Sequence, residues 1–177
     1  MAVVFVAGAT GYVGRELTRQ LGERARRAPG GLRVIAHVRP DSAELAEWRE
    51  RFTALGAEVD TAAWSRDAMA EALRRTAATH LYCLIGTTRK RARAEGTGDR
   101  YRTIDLGLTQ LLVGAAQDAA AAGTPPLRFV YLSSIGASTR ATSAYLKARG
   151  EAEAVVGASG LSHLIARPSF VTGPDRE

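Results

Sequence analysis

The sequence predicts an α/β fold, one doubly wound parallel sheet, on three observations. Short apolar runs alternate with stretches of helical periodicity from end to end. A glycine-rich turn, Gly8-Ala9-Thr10-Gly11-Tyr12-Val13-Gly14, directly follows the first apolar run. The third is composition: 177 residues, 46% hydrophobic and 24% charged with a mean hydropathy of −0.10, suit a single globular domain over residues 1–177 with a core of its own. Strand and helix in regular alternation mean βαβ units with helices on both faces of the sheet.

The elements follow in order. Val3-Val4-Phe5-Val6-Ala7 is an unbroken β-branched and aromatic run, the pattern of a strand buried on both faces. A helix from Tyr12 to about Arg27 sets Val13, Leu17 and Leu21 on one face. Arg33 to Val38 is a second strand, stopped by Pro40, and Asp41 or Ser42 is expected to cap a helix carrying Leu45, Trp48 and Phe52. A short strand at Ala57–Val59 precedes a helix from about Arg66 to Thr76, and Leu81–Ile85 is the fourth strand. One long helix is expected from about Asp99 to Ala122, with Ile104, Leu108, Leu111 and Leu112 inward, ended by Gly123-Thr124-Pro125-Pro126. Phe129–Leu132 is the fifth strand, Ser143 to about Val156 a helix, and Leu161–Ala166 the sixth strand.

Composition excludes several classes. No run approaches the roughly 20 apolar residues that span a bilayer, so no membrane role is expected. Cys83 is the only cysteine, which excludes an internal disulfide framework and a thiolate-rich zinc site. With no charged leader in Met1–Val6, the expectation is a cytoplasmic protein. A net charge of +6 and a pI near 10.1 admit phosphate-bearing partners without choosing among them.

The glycine turn carries the functional reading. Gly8 allows a tight turn, Gly11 keeps side-chain atoms away from a pyrophosphate at the helix N-terminus, and Gly14 lets the helix pack close to the sheet. Thr10, Tyr12 and Val13 belong to the same cradle. The same three glycines can also serve turn and packing alone. An acidic residue at the end of the second strand would favour NAD by bonding the adenosine ribose. This chain has Arg39 there and Arg15 just after the last glycine, two guanidiniums able to hold a 2′-phosphate. NADP(H) is therefore the expected cofactor, and Asp41 keeps NAD(H) open.

Val130-Tyr131-Leu132-Ser133-Ser134, Tyr145 on a helix, and Ala166-Arg167-Pro168-Ser169-Phe170-Val171 join the glycine turn in a pattern that resembles the atypical short-chain dehydrogenase/reductase superfamily. Cys83–Arg89, Ala94-Glu95-Gly96 and Tyr145–Glu153 resemble its Tat-interacting oxidoreductase and NmrA-like branch. The resemblance runs the length of the chain. It implies a Rossmann fold, NADP(H) binding and hydride transfer to or from a small carbonyl or alcohol substrate. It also implies Ser134 as the hydroxyl that bonds the substrate oxygen and Tyr145 as its proton partner. Gly86, Thr87 and Thr88 match a loop lining the cofactor, and Pro168 to Phe170 a segment approaching the nicotinamide. Asp60 and Thr61 match the adenine side loosely.

Two departures stand out. The family supplies a lysine four residues after the tyrosine, and here that position is Arg149. A phenol with a pKa of about 10 needs a nearby cation to act at neutral pH. Arg149 shares a helix face with Tyr145 and can offer charge and ribose hydrogen bonds, but it does not relay a proton. Lys147, about 200° round the helix from Tyr145, cannot substitute. The second departure is that relatives usually continue past Gly173-Pro174-Asp175-Arg176-Glu177, so the chain is either a minimal version or a truncated one, and a missing or short substrate lid is expected.

Both departures keep a second reading open, a non-catalytic NADP(H) sensor or partner-docking module. The basic run Arg89-Lys90-Arg91-Ala92-Arg93 has no interleaved aromatic residue and reads as a solvated loop rather than a nucleic-acid surface. Cys83 reads as a core residue. His37, His80 and His163 have no metal spacing, and no exposed stripe fixes an oligomeric state.

Overall fold

A computed structural model describes residues 1–86 and 101–173. Its strands are β1 (Ala2–Ala7), β2 (Leu32–His37), β3 (Glu58–Asp60), β4 (His80–Cys83), β5 (Arg128–Leu132) and β6 (Ser162–Ala166). They form one sheet in the order β3-β2-β1-β4-β5-β6, every neighbouring pair parallel. The helices are α1 (Tyr12–Arg27), α2 (Leu45–Ala54), α3 (Arg66–Thr76), α4 (Leu108–Ala121) and α5 (Ala144–Ala158). This is the doubly wound α/β architecture read from the sequence.

Side chains alternating along each strand divide the core between two faces. Val4, Val6, Val34 and Ala36 point to one side, where Leu17 and Leu21 of α1 and Trp48 and Phe52 of α2 cover them. Phe5, Ile35, Leu81, Phe129 and Tyr131 point to the other, against Met69 and Leu73 of α3, Leu112 and Ala116 of α4, and Ala152 and Val156 of α5. Cys83 is fully buried in this second cluster, and burial pushes its thiol pKa up, so it stays an inert core thiol. The chain leaves β1 toward β2 on one side and toward β4 on the other, which opens a crevice at the carboxyl ends of β1 and β4.

Two local expectations are corrected. Neither Asp41 nor Ser42 caps α2: the helix begins at Leu45 after a turn in which the Leu45 amide donates to the Ser42 carbonyl, and Glu44 is its N-cap without a side-chain bond. The helix expected as one piece before Ala122 has two parts, a π-helical segment Tyr101–Gly107 and then α4. At the junction the Thr109 hydroxyl donates to the Asp105 carbonyl at 2.6 Å, a side-chain bond that competes with the regular backbone ladder.

His37 closes β2 and is 2% exposed, with Nε2 2.8 Å from the Ala62 carbonyl and its ring edge-on to Trp64. Burial holds its pKa below the ordinary 6.5. An unfolded chain therefore takes up a proton that the folded chain resists, so stability is unaffected well above that value and falls as pH drops through it. One such proton costs at most about 1.4 kcal/mol per pH unit. The expected result is that His37→Gln loses less melting temperature than the parent between about pH 7.5 and about pH 5.5. Equal losses in the two proteins would contradict it.

Candidate functional site

The glycine turn sits at the mouth of the crevice. The last β1–β4 bond runs from the Leu84 amide to the Ala7 carbonyl at 2.9 Å, and the chain then turns at Gly8 with φ +88°. A Cβ at Gly8 would lie 3.0 Å from the Leu84 carbonyl group and hold the left-handed backbone under strain. The Gly11 amide donates to the Gly8 carbonyl at 3.0 Å, which closes the turn and makes Gly11 the N-cap of α1. Gly14 is buried, and a Cβ there would overlap the Gly8 carbonyl oxygen and press on Ala9.

Gly11 offers no side chain to the first amides of α1, and the first turn of the helix has no acidic residue. A helix N-terminus with this partial positive charge, in a cradle that a side chain would fill, fits a dinucleotide diphosphate. Thr10 is half-buried in the turn, and Tyr12 and Val13 open the helix beside it. Arg15 is exposed in that first turn. Arg39 is 60% exposed just beyond β2 and 3.8 Å from Asp41, a loose surface pair that leaves the guanidinium in water. Asp60 is committed elsewhere: its carboxylate accepts from the Ala62 amide at 2.9 Å and pairs with Arg75.

At the other side of the crevice, β5 and β6 stay paired beyond their ends. The Ser133 amide donates to the Ala166 carbonyl at 2.7 Å and the Ile135 amide to the Pro168 carbonyl at 3.0 Å. Ser134 lies between these two rungs, half-buried, with its hydroxyl 3.4 Å from the Ile135 carbonyl. After Pro168 the chain crosses back toward α1, with Phe170 89% exposed, and Gly173 lies so close to the Tyr12 hydroxyl that a Cβ would collide with it. Gly86 is exposed at the end of the segment following β4. Thr87, Thr88 and the basic run Arg89–Arg93 lie outside the described residues.

Tyr145 and Arg149 share a face of α5, as their spacing requires. Tyr145 is half-buried, and the Arg149 guanidinium carbon is 5.4 Å from its ring centroid. Arg149 is 5% exposed: Nη1 donates to the Leu132 carbonyl at 2.6 Å and to the Tyr131 hydroxyl at 3.3 Å, Nη2 lies 2.9 Å from Asp105 Oδ1 as an ion pair, and Nε has no hydrogen-bond partner among the described residues. Burial disfavours its charge, but the electron-rich Tyr131, Asp105 and Tyr145 more than offset this, so it stays a fixed cation. Tyr131 is fully buried, which pushes its phenol up to about 12 and keeps it protonated despite the neighbouring guanidinium. The structure brings Tyr145 and Arg149 together and records no hydrogen bond from Ser134 to Tyr145 among the described residues.

The sequence reading missed the π-helical segment and its two contacts with α5. Tyr101 packs edge-on to Tyr145 with ring centroids 5.5 Å apart, and Asp105, with no exposed surface, pairs with Arg149. The missed signal was an acidic residue between Ile104 and Leu106 in an otherwise apolar stripe. Gly86 also has a second duty, because a Cβ there would overlap Arg149 Nη2. Gly150 is packed against the backbone of Ser138 and Thr139 closely enough that any side chain would displace that loop.

Comparison with known proteins places these features in a family. A family model described as NAD(P)H-binding matches residues 8–177. The protein named Protein fmp52, mitochondrial, of Aspergillus clavatus is 33% identical over 180 residues, spanning 100% of this chain and 70% of that protein. Its namesake from Aspergillus fumigatus is 32% identical over 178 residues with the same coverage. Among solved structures, the UDP-glucuronic acid 4-epimerase of Bacillus cereus, in complex with UDP-glucuronic acid and NAD, superposes with a TM-score of 0.66 at 15% identity. That match covers 94% of this chain and 56% of the epimerase, so the chain spans little more than half its length. A short-chain dehydrogenase from Rhodopseudomonas palustris gives a TM-score of 0.63 at 19% identity, covering 93% of this chain and 84% of that one.

These relatives correct the expected localisation. The fungal proteins are named mitochondrial, which overturns a cytoplasmic placement. A lone buried thiol argues against a disulfide-dependent fold, but it does not choose among compartments that keep thiols reduced. Among the described residues no helix is long and apolar enough to cross a membrane.

Proposed function

The chain belongs to the NAD(P)H-binding family, with the Rossmann fold of the short-chain dehydrogenase/reductase and epimerase superfamily, and from that premise we propose an NADP(H)-dependent oxidoreductase acting on a small carbonyl or alcohol. The observation that carries the reading is the cradle of Gly8, Gly11 and Gly14 beneath the uncapped amino end of α1, at the point where the sheet order reverses. Thr10, Tyr12, Val13 and the first amides of α1 hold the diphosphate. Arg15 and Arg39 take the 2′-phosphate with paired hydrogen bonds. Gly86, Thr87 and Thr88 belong to the loop that lines the cofactor from the side opposite the glycine turn, and Pro168 to Phe170 to the segment that approaches the nicotinamide.

When bound, the dinucleotide supplies or accepts the hydride. The chain's own part is positional and acid–base. Ser134 bonds the substrate oxygen, and Tyr145 gives that oxygen its proton in reduction or takes it in oxidation. Arg149 holds a permanent positive charge against the Tyr145 ring, which favours the phenolate left after proton donation.

One observation favours a second reading, an NADP(H)-binding sensor without turnover: three protein acceptors already engage Arg149, where the family's lysine would face the ribose. Fluorescence titration and a carbonyl panel separate the two. The parent is expected to bind NADPH more tightly than NADH and to oxidise it with at least one carbonyl; binding without any turnover supports the sensor. Arg39→Asp is expected to weaken NADPH binding by about 10- to 100-fold and to leave NADH binding as tight or tighter, since it removes a charge-assisted phosphate contact, adds a repulsion to the 2′-phosphate and offers the ribose hydroxyls an acceptor. Equal affinity of the parent for both dinucleotides would sink the preference for NADP(H).

A further inference from the structure

Helices α1 and α2 lie on one face of the sheet and leave between them a groove that runs away from the glycine turn. They are joined at its far end: a Cβ at Gly22 would overlap the Leu55 carbonyl oxygen, and Arg26 Nη1 donates to the same oxygen at 2.6 Å. Toward the amino end of α1 a cavity of about 820 Å³ lies between the helices. The segment Val171–Gly173 borders it there, with Gly173 against the Tyr12 hydroxyl. That volume is within the roughly 300–1,000 Å³ of small-molecule pockets. Leu17, Trp48, Phe52, Leu55 and Val171 give it apolar walls. From Tyr12 to Gln20, both lining residues, α1 rises about 12 Å, room for an extended chain of several methylenes.

The aromatic wall is built in advance. Trp48 stacks on Phe52 with ring centroids 5.5 Å apart, the Arg51 guanidinium carbon sits 5.3 Å over its ring, and its Nε1 donates to Glu44 at 3.0 Å. An indole held on its faces and at its polar edge receives an apolar chain without rearranging. The lining side chains carry three guanidiniums, Arg15, Arg19 and Arg51, and one carboxylate, Glu16. Arg19 is taken by Glu16 and Glu23, and Arg51 by Glu47. Arg15, exposed in the first turn of α1, makes no ion pair among the described residues. An apolar cavity with an uncommitted guanidinium at its end selects an amphipathic anion. We infer that the groove binds a small carboxylate with an unbranched apolar tail, its head group on Arg15 and its tail along Leu17, Trp48 and Phe52 toward Leu55. The groove stands apart from the proposed function. One consequence rests on that function: Arg15 is also the residue proposed for the 2′-phosphate, so a carboxylate seated there and NADPH weaken one another's binding.

Decanoate, below its micelle concentration, is the probe, with hexanoate, octanoate and the neutral 1-decanol beside it. Calorimetry gives the affinity, and NMR follows the two indole N–H signals of the chain, Trp48 in the groove and Trp64 packed on the other face of the sheet. One decanoate per chain is expected to bind, shifting the Trp48 signal and leaving that of Trp64 in place. Affinity is expected to rise about tenfold for each two methylenes from hexanoate to decanoate. 1-Decanol is expected to bind at least about tenfold more weakly, for want of a charge-assisted contact. Gln20→Trp, at an exposed lining position, fills the cavity, and Arg15→Gln removes the partner of the head group. Each is expected to weaken decanoate by at least about tenfold, with melting within a degree or two of the parent. If Gln20→Trp folds poorly, Arg15→Gln decides. No binding to the folded parent, a shift of Trp64 in place of Trp48, equal affinity for 1-decanol, or unchanged affinity in either folded variant overturns the inference. Decanoate that binds as expected but leaves NADPH affinity unchanged overturns the competition alone. A parent that binds no NADPH removes the proposed function, while the decanoate titrations still judge the groove by themselves.

Discussion

Gly14→Val is expected to abolish dinucleotide binding and to destabilise the fold together. The Cβ of any residue at 14 meets the Gly8 carbonyl oxygen and lies 2.8 Å from the Ala9 Cα, both backbone, so no side-chain rotation relieves the clash. Either α1 lifts off the turn or the turn opens. Overpacking of this kind costs on the order of 3 kcal/mol, or roughly 10 °C in melting temperature for a chain of this size. Lifting the helix also moves its amides away from the diphosphate, and each charge-assisted hydrogen bond lost there is worth about 1.5–3 kcal/mol. NADPH affinity is therefore expected to fall more than about a hundredfold at temperatures where the variant remains folded. Calorimetric melting and fluorescence titration on one preparation check both halves. A Gly14→Val protein that binds NADPH like the parent would remove the cradle from the site.

Tyr145→Phe carries the other large effect and is the cleaner experiment for the chemistry. The ring remains, so its packing against Tyr101 and its place under the Arg149 guanidinium are kept, and melting temperature is expected to hold within a degree or two. Only the hydroxyl is gone. Loss of a positioned general acid costs about 100- to 10,000-fold in turnover. The expected outcome is kcat reduced by that factor with NADPH affinity unchanged, read from steady-state oxidation of NADPH by a carbonyl that the parent reduces. A rate equal to the parent's would assign the proton transfer to another group. The same variant leaves Arg149 paired with Asp105, so a lost rate cannot be charged to a collapsed ion pair.

Much of the fold was legible because its signals are local. The run Val3–Ala7 has no polar residue to place in water, so it had to be a strand covered on both faces, and the spacing of Leu17 and Leu21 had to put a helix on one of them. The start of α1 followed from the glycine turn, and α3 starts at Arg66 as expected, where the structure adds a Ser65 hydroxyl that accepts from the Ala68 amide. The start of α2 was not legible, since both Asp41 and Ser42 are competent caps and only the turn geometry after β2 decides that neither is used. The helix before Ala122 read as one regular piece because Ile104, Leu108, Leu111 and Leu112 keep helical spacing on either side of the π-helical segment.

The candidate site divides the same way. The glycine turn was visible from its spacing between strand and helix, and Ser134, Tyr145 and Arg149 from the resemblance to the dehydrogenase/reductase superfamily. The partners of Arg149 were not: Asp105, Leu132 and Gly86 come from three separate segments of the chain, and nothing in their own neighbourhoods points to α5.

By itself, the sequence determined the alternation of elements, the glycine cradle between the first strand and the first helix, and the side chains available for chemistry, because each depends on residues within a few positions of one another. The tertiary structure alone decided the strand order, the reversal between β1 and β4 that opens the crevice, and the burial of Arg149 against Asp105. Contacts between segments far apart in the chain are set by which surfaces must leave water together, and that is a property of the packed whole.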